Sequence, residues 1–262
     1  MLEWCAKKIG SWIAHYLEKP LRVYQAFSTN DTATLQRFLQ PGDVLLVEGN
    51  HRISIAIKYL TQSTWSHAAL YIGNPQGLHT PPNSEDNSLV EALASTGVVA
   101  VPLSKYAQFN TRICRPVGLT DEDRDKLVQF ALNSIGKKYD LKNIFDLVRY
   151  LFPNPPVPIY WRRCMLTMGS GDPTRAICST LIAQAFQSIH YPILPSIEKR
   201  RPCDQEKCRH ADLEILHARH YSLFTPRDFD ISPYFRTIKP TIEDGFDYRK
   251  LEWADHPESD KT

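Results

Sequence analysis

Three side chains in this sequence are of the types that together can open an acyl bond: His67, Glu91 and Cys178. In TWSHAALYIG, residues 64–73, His67 heads a short apolar stretch that reads as a strand buried on both faces. A buried ring nitrogen needs a partner. It is either a core histidine satisfied by a neighbour or a base serving a nucleophile elsewhere in the chain. In AICSTLIAQAF, Cys178 falls where a helix begins, and Leu181, Ile182, Ala185, Phe186 and Ile189 form the buried stripe behind it. The positive end of a helix dipole and its unpaired amides favour thiolate, which is how a nucleophilic cysteine is made. The competing reading is a small buried residue filling a gap. Glu91, in LVEAL, lies on the strand after His67. It could accept from the ring nitrogen not engaged by the thiol and so fix the tautomer; alternatively it is an ordinary solvent-facing strand acid.

The elements that must position these groups follow from patterning. A helix is expected from Thr29 or Asp31 to Leu39, then a Pro41-Gly42 turn, a strand in GDVLLVEG and a short helix in HRISIAIKYLTQ. After SHAALYIG and a polar loop over 74–88 come three more strands, LVEAL, GVVAVPL and TRICRPV, spaced as a meandering antiparallel sheet. Helices follow. LTDEDRDKLVQFALNSIG has Thr120 as its expected N-cap and acids in its first turn, and Gly136 closes it. KKYDLKNIFDLVRYLF continues as a helix, and NPPVPIYWRRCMLTMGSGDP is a proline-rich insertion too apolar for a free linker. The cysteine-bearing helix comes next, then a Cys/His/Arg-rich segment and TPRDFDISPYF, read as a short strand region. The expected class is α+β, with an antiparallel sheet packed against helices.

Composition sets broad limits. A chain of 262 residues with 42% hydrophobic and 23% charged residues can bury a full core. Its formal net charge of +2, without a basic run, argues against nucleic acid as a partner. The six cysteines, at 5, 114, 164, 178, 203 and 208, are too dispersed for a disulfide-stapled miniprotein. Glu3, Lys7, Lys8 and Glu18 interrupt the first twenty residues, so no secretory signal is expected, and no window reaches the length of a membrane span. The expected compartment is the cytoplasm, with free thiols. Residues 2–17 read as an amphipathic helix through Leu2, Cys5, Ile9, Trp12, Ile13, Tyr16 and Leu17. It either packs on the body of the protein or, through Trp4, Trp12, Lys7 and Lys8, meets a membrane surface.

The order of PGDVLLVEG, WSHAALYIG, LVEAL, GKKYD and ICSTLIAQAF resembles that of circularly permuted, papain-like NlpC-type cysteine hydrolases of the YiiX/YaeF-like group. The lecithin retinol acyltransferase-like enzymes are relatives with the same order. The histidine strand comes first and the cysteine helix last, the reverse of an unpermuted papain-like enzyme. The resemblance implies a permuted papain-like fold, with Cys178 as nucleophile, His67 as general base and Glu91 as third member. It also implies that Tyr139 stands beside the cysteine and aids an oxyanion site with the Cys178 amide. No cofactor is implied.

The resulting organisation is an N-terminal helix over 1–20, a main domain over 21–240 and a charged tail over 241–262. The main domain carries an insertion at about 146–176 and the Cys/His/Arg-rich segment at about 190–222. That segment holds Cys203, Cys208, His210, His217 and His220, but their spacing matches no standard zinc finger, and its many charges suggest a solvated loop. The function expected is thiol hydrolysis of an amide or ester in a peptide, lipid or small-molecule substrate. The alternatives are a lipid-directed acyltransferase or phospholipase-like enzyme using the same residues, or a non-catalytic lipid- or peptide-binding module.

Overall fold

The computed structural model describes residues 31–74, 88–93, 95–137, 177–200 and 213–252. Helix α1 (Thr32–Phe38) opens them, its N-cap Asp31 accepting from the Thr34 amide at 2.8 Å. Strand β1 (Val44–Val47), helix α2 (Arg52–Thr61), strands β2 (His67–Tyr71), β3 (Leu89–Leu93) and β4 (Gly97–Val101), and a 3-10 turn (Leu103–Tyr106) follow. Then come β5 (Thr111–Pro116), α3 (Asp121–Leu132) and the cysteine helix α4 (Ile177–Ser188). The last elements are β6 (Ser196–Arg200), β7 (Leu213–His217), a 3-10 turn (Tyr221–Leu223), α5 (Pro226–Asp230), β8 (Phe235–Ile238), α6 (Pro240–Glu243) and a final 3-10 turn (Tyr248–Lys250).

Six strands form one antiparallel sheet in the order β4-β3-β2-β1-β5-β8. The first four make the expected meander. Strand β5 departs from it: after the 3-10 turn the chain crosses to the far side of β1 and pairs Val44 with Cys114. Strand β8, from beyond the cysteine helix, closes that edge.

Both faces of the sheet are covered, which is why VLLV and HAALY read as continuous apolar runs instead of alternating. On one face Val44, Leu46, Ala68, Leu70, Val90 and Ala92 pack against Leu127 and Ala131 of α3 and Leu181, Ile182 and Phe186 of α4. On the other, Leu45, Val47, Ala69, Tyr71 and Leu89 meet Leu35 of α1 and Leu103 and Tyr106 of the first 3-10 turn.

Two expectations change near the C-terminus. The segment read as a solvated loop contains an antiparallel pair, β6 with β7, from Ser196 opposite His217 to Arg200 opposite Leu213. TPRDFDISPYF starts as a helix, not a strand. Asp228 accepts from the Thr225 amide (2.7 Å) and hydroxyl (2.9 Å), and Pro226 fills the first helical position, where its missing N–H costs nothing.

Candidate active site

His67 and Glu91 meet on one face of the sheet. Strands β2 and β3 pair only at Leu70 with Val90 and Tyr71 with Leu89. Extending that register sets Glu91 opposite Ala69 and makes His67 its diagonal neighbour on the same face, within reach of a long side chain. The observed contact is His67 Nε2 to Glu91 Oε2 at 2.7 Å. Glu91 is completely buried, so the solvent-facing reading of LVEAL does not apply.

Cys178 closes the group. It is the second residue of α4 and 4% exposed, and its thiol hydrogen-bonds His67. Because Nε2 is taken by Glu91, Nδ1 is the nitrogen left for sulfur. Two backbone amides, of Ala68 and Ser179, also donate to the sulfur. The Ala68 amide is available for a topological reason. The odd residues of β2 bond β1, as Tyr71 does to the Asp43 carbonyl, and the even ones face β3, as Ile72 does toward Ser88. The β2–β3 ladder stops at Leu70, leaving Ala68 to turn its N–H to Cys178. Helix α4 is anchored there by Ser179, whose hydroxyl donates to the Phe224 carbonyl at 2.7 Å.

The electrostatics follow from these contacts. Burial opposes the charged form of His67, but the Cys178 sulfur and Glu91 outweigh it and push the imidazole up to about 10. Burial likewise opposes Cys178 thiolate, yet the adjacent imidazolium and the two amides bring the thiol below its ordinary value. Glu91, desolvated but bonded to His67 and Lys105, is held down at about 2. All three shifts favour the charged forms: thiolate, imidazolium and carboxylate. Cys114, buried in β5, is pushed far up by desolvation and stays a neutral thiol.

Sequence reading did not find two of the partners of Glu91. Lys105 Nζ donates to Oε1 and the Tyr106 hydroxyl to Oε2, while the Tyr106 ring stands 6.0 Å from that of His67. Their segment, VPLSKY, carries no motif. The signal was indirect: a carboxylate buried in an apolar strand needs more than one donor. Tyr139, Cys203, Cys208 and His210 lie outside the described residues, as do the helix over 2–17 and the insertion at 146–176. His217 and His220 are described; His220 Nδ1 lies 2.8 Å from Ser222 Oγ. Among the described residues, no three His, Cys, Asp or Glu side chains gather as a metal site would require.

The loop between β1 and α2 fixes the approach to His67. The Gly49 amide donates to Ser66 Oγ at 2.9 Å, and a Cβ on Gly49 would lie 2.4 Å from Ser54 Oγ and 2.9 Å from Ser66 Oγ. Only glycine fits between those two hydroxyls.

Residues 38–150 match the family model of the permuted papain-like amidase enzymes YaeF/YiiX. The chain is 23% identical over 171 residues to the Escherichia coli protein named "Probable lipoprotein peptidase YaeF", a match covering 59% of this chain and 58% of that protein. The chain thus spans little more than half the length of that relative. The crystal structure of the metalloprotein yiiX, also from Escherichia coli, aligns with a TM-score of 0.44 at 19% identity, over 76% of this chain and 96% of that one. Over residues 38–150 the chain is thus similar to the permuted papain-like amidases of the YaeF/YiiX group.

Proposed function

We propose that this protein is a cysteine amidase or peptidase that works through an acyl-enzyme on Cys178. The observation that carries the reading is the relay at the start of α4: a buried thiol bonded to His67, whose other nitrogen rests on the buried carboxylate of Glu91. The match to an amidase family model supports an amide, and the name of the relative supports a peptide-type substrate.

The thiolate attacks the carbonyl carbon and the carbonyl π electrons move onto oxygen. The Cys178 amide, in the first turn of the helix, is proposed as a donor to that oxyanion. Tyr139 is proposed as a second donor. As the tetrahedral intermediate collapses, the C–N bond breaks and the imidazolium of His67 gives its Nδ1 proton to the departing amine. His67, now neutral, takes a proton from water as water attacks the thioester. The C–S bond then breaks, releasing the acid and restoring thiolate and imidazolium. Glu91 holds the ring with Nε2–H toward itself throughout, so Nδ1 alone exchanges protons with sulfur, amine and water.

The test is incubation with p-nitrophenyl acetate, followed by intact-mass and peptide analysis. An acetyl group on Cys178, absent in Cys178→Ser, is the result expected. Turnover that survives in Cys178→Ser, or acetylation confined to other residues, would overturn the proposal.

A further inference from the structure

We propose that Lys105 and Tyr106 are positioning residues for the His67–Cys178 pair, an inference that rests on the cysteine-hydrolase reading. Together they pin the Glu91 carboxylate so that one oxygen stays on His67 Nε2, and the Lys105 ammonium offsets the Glu91 charge at the site.

The geometry divides the carboxylate among three donors. Oε2 is shared by His67 Nε2 and the Tyr106 hydroxyl, and Oε1 is held by Lys105 Nζ. A carboxylate held only by the histidine could rotate about its terminal torsion and release the ring; bonds to both oxygens remove that freedom. The two residues are adjacent in the 3-10 turn, so one short element delivers both donors. Tyr106 is buried beneath the His67 ring, whereas the Lys105 side chain is 37% exposed and pays little desolvation for its charge. Among the described residues, the groups facing His67 are Cys178 of α4, Glu91 of β3 and Tyr106 of the turn.

The charges matter as much as the bonds. Thiolate, imidazolium, carboxylate and ammonium cancel. Without Lys105 the site holds a net negative charge, and both of its exchangeable protons, on Cys178 and on His67, bind more tightly. His67 then becomes a weaker acid toward the leaving amine. Tyr106 adds no charge. Its loss leaves more of the Glu91 charge to the imidazolium and affects the histidine proton alone.

The experiment is the pH dependence of Cys178 alkylation by iodoacetamide in the full chain, which needs no substrate. Lys105→Met should move the acid limb and the alkaline limb of the rate profile upward together by about half a pH unit, a size set by a partly exposed charge near the pair. Lys105→Arg should keep both limbs at their wild-type positions. Tyr106→Phe, which retains the ring, should raise only the alkaline limb, and it decides the question if Lys105→Met does not fold. Limbs unmoved in Lys105→Met and Tyr106→Phe, with wild-type Cys178 still dependent on His67, would overturn the inference alone. A wild-type Cys178 whose alkylation ignores His67→Ala would remove the hydrolase reading and the inference with it.

Discussion

Among single residues, buried charge governs the site and makes its pH dependence directional. Glu91 has a folded pKa of about 2 against an ordinary 4.5, so its contribution to stability is complete above pH 4.5 and is lost as pH falls through about 2. Glu91→Gln leaves three donors facing an amide that cannot satisfy them all. It should cost about 1–3 kcal/mol at neutral pH, and thermal melts of variant and wild type should converge toward pH 2. His67 behaves oppositely. Its pKa rises from 6.5 to about 10, so its contribution is complete below pH 6.5 and lost as pH rises through about 10. The stability difference between wild type and His67→Ala should narrow over that range in alkaline melts. The sequence made His67, Glu91 and Cys178 legible because each sits inside a patterned element. Lys105 and Tyr106 were not legible, because a 3-10 turn has no periodicity, and nothing in VPLSKY tells that the turn folds back over the third strand.

Elements, not side chains, decide whether these groups meet. The loop from β1 to α2 sets the ground on which His67 stands, and Gly49 is its tightest point. Gly49→Ala forces Ser54 or Ser66 aside, and overpacking of this kind costs about 1–3 kcal/mol. Denaturant unfolding should register that loss together with slower Cys178 alkylation, since Ser66 adjoins His67. Ser179→Ala should leave the Phe224 carbonyl unsatisfied and cost about 1–3 kcal/mol in the same measurement. Strands β1 to β5 were readable from short stretches rich in apolar residues and helices α1 to α4 from helical stripes, with Asp31 and Thr120 capping α1 and α3. What misled at the C-terminus was local composition. Lys199, Arg200, Arg201, Lys207 and Arg209 made a strand pair look like a solvated loop. TPRDFDISPYF was read as a short strand region, but the capping contacts between Thr225 and Asp228 make a helix at its start. The crossing of β5 to the far side of β1 was also beyond pattern reading, because strand order depends on which edge a connection reaches, not on the strands themselves.

Across the whole molecule the permuted order works because the cysteine helix, late in the chain, packs on strands formed early. Phe186 of α4 sits among Tyr191, Phe229 and Phe235, joining that helix to the C-terminal elements, while Leu181 and Ile182 hold it on the sheet. A second tie is Asp230 in α5, which accepts from Arg112 of β5 at 2.6 Å and from the Trp65 indole at 3.1 Å. These long-range contacts bring residue 178 to residue 67. This closure makes an activated thiol, and iodoacetamide labelling of the native protein at about pH 6, followed by peptide mapping, reads it out. An ordinary thiol, with a pKa of ~8.5, is almost wholly protonated there. Cys178 should be marked first among the six cysteines, Cys114 should stay unmarked, and His67→Ala should slow the labelling of Cys178 about tenfold or more. Labelling of Cys178 no faster than that of the other thiols, or unchanged by the loss of His67, would contradict the account.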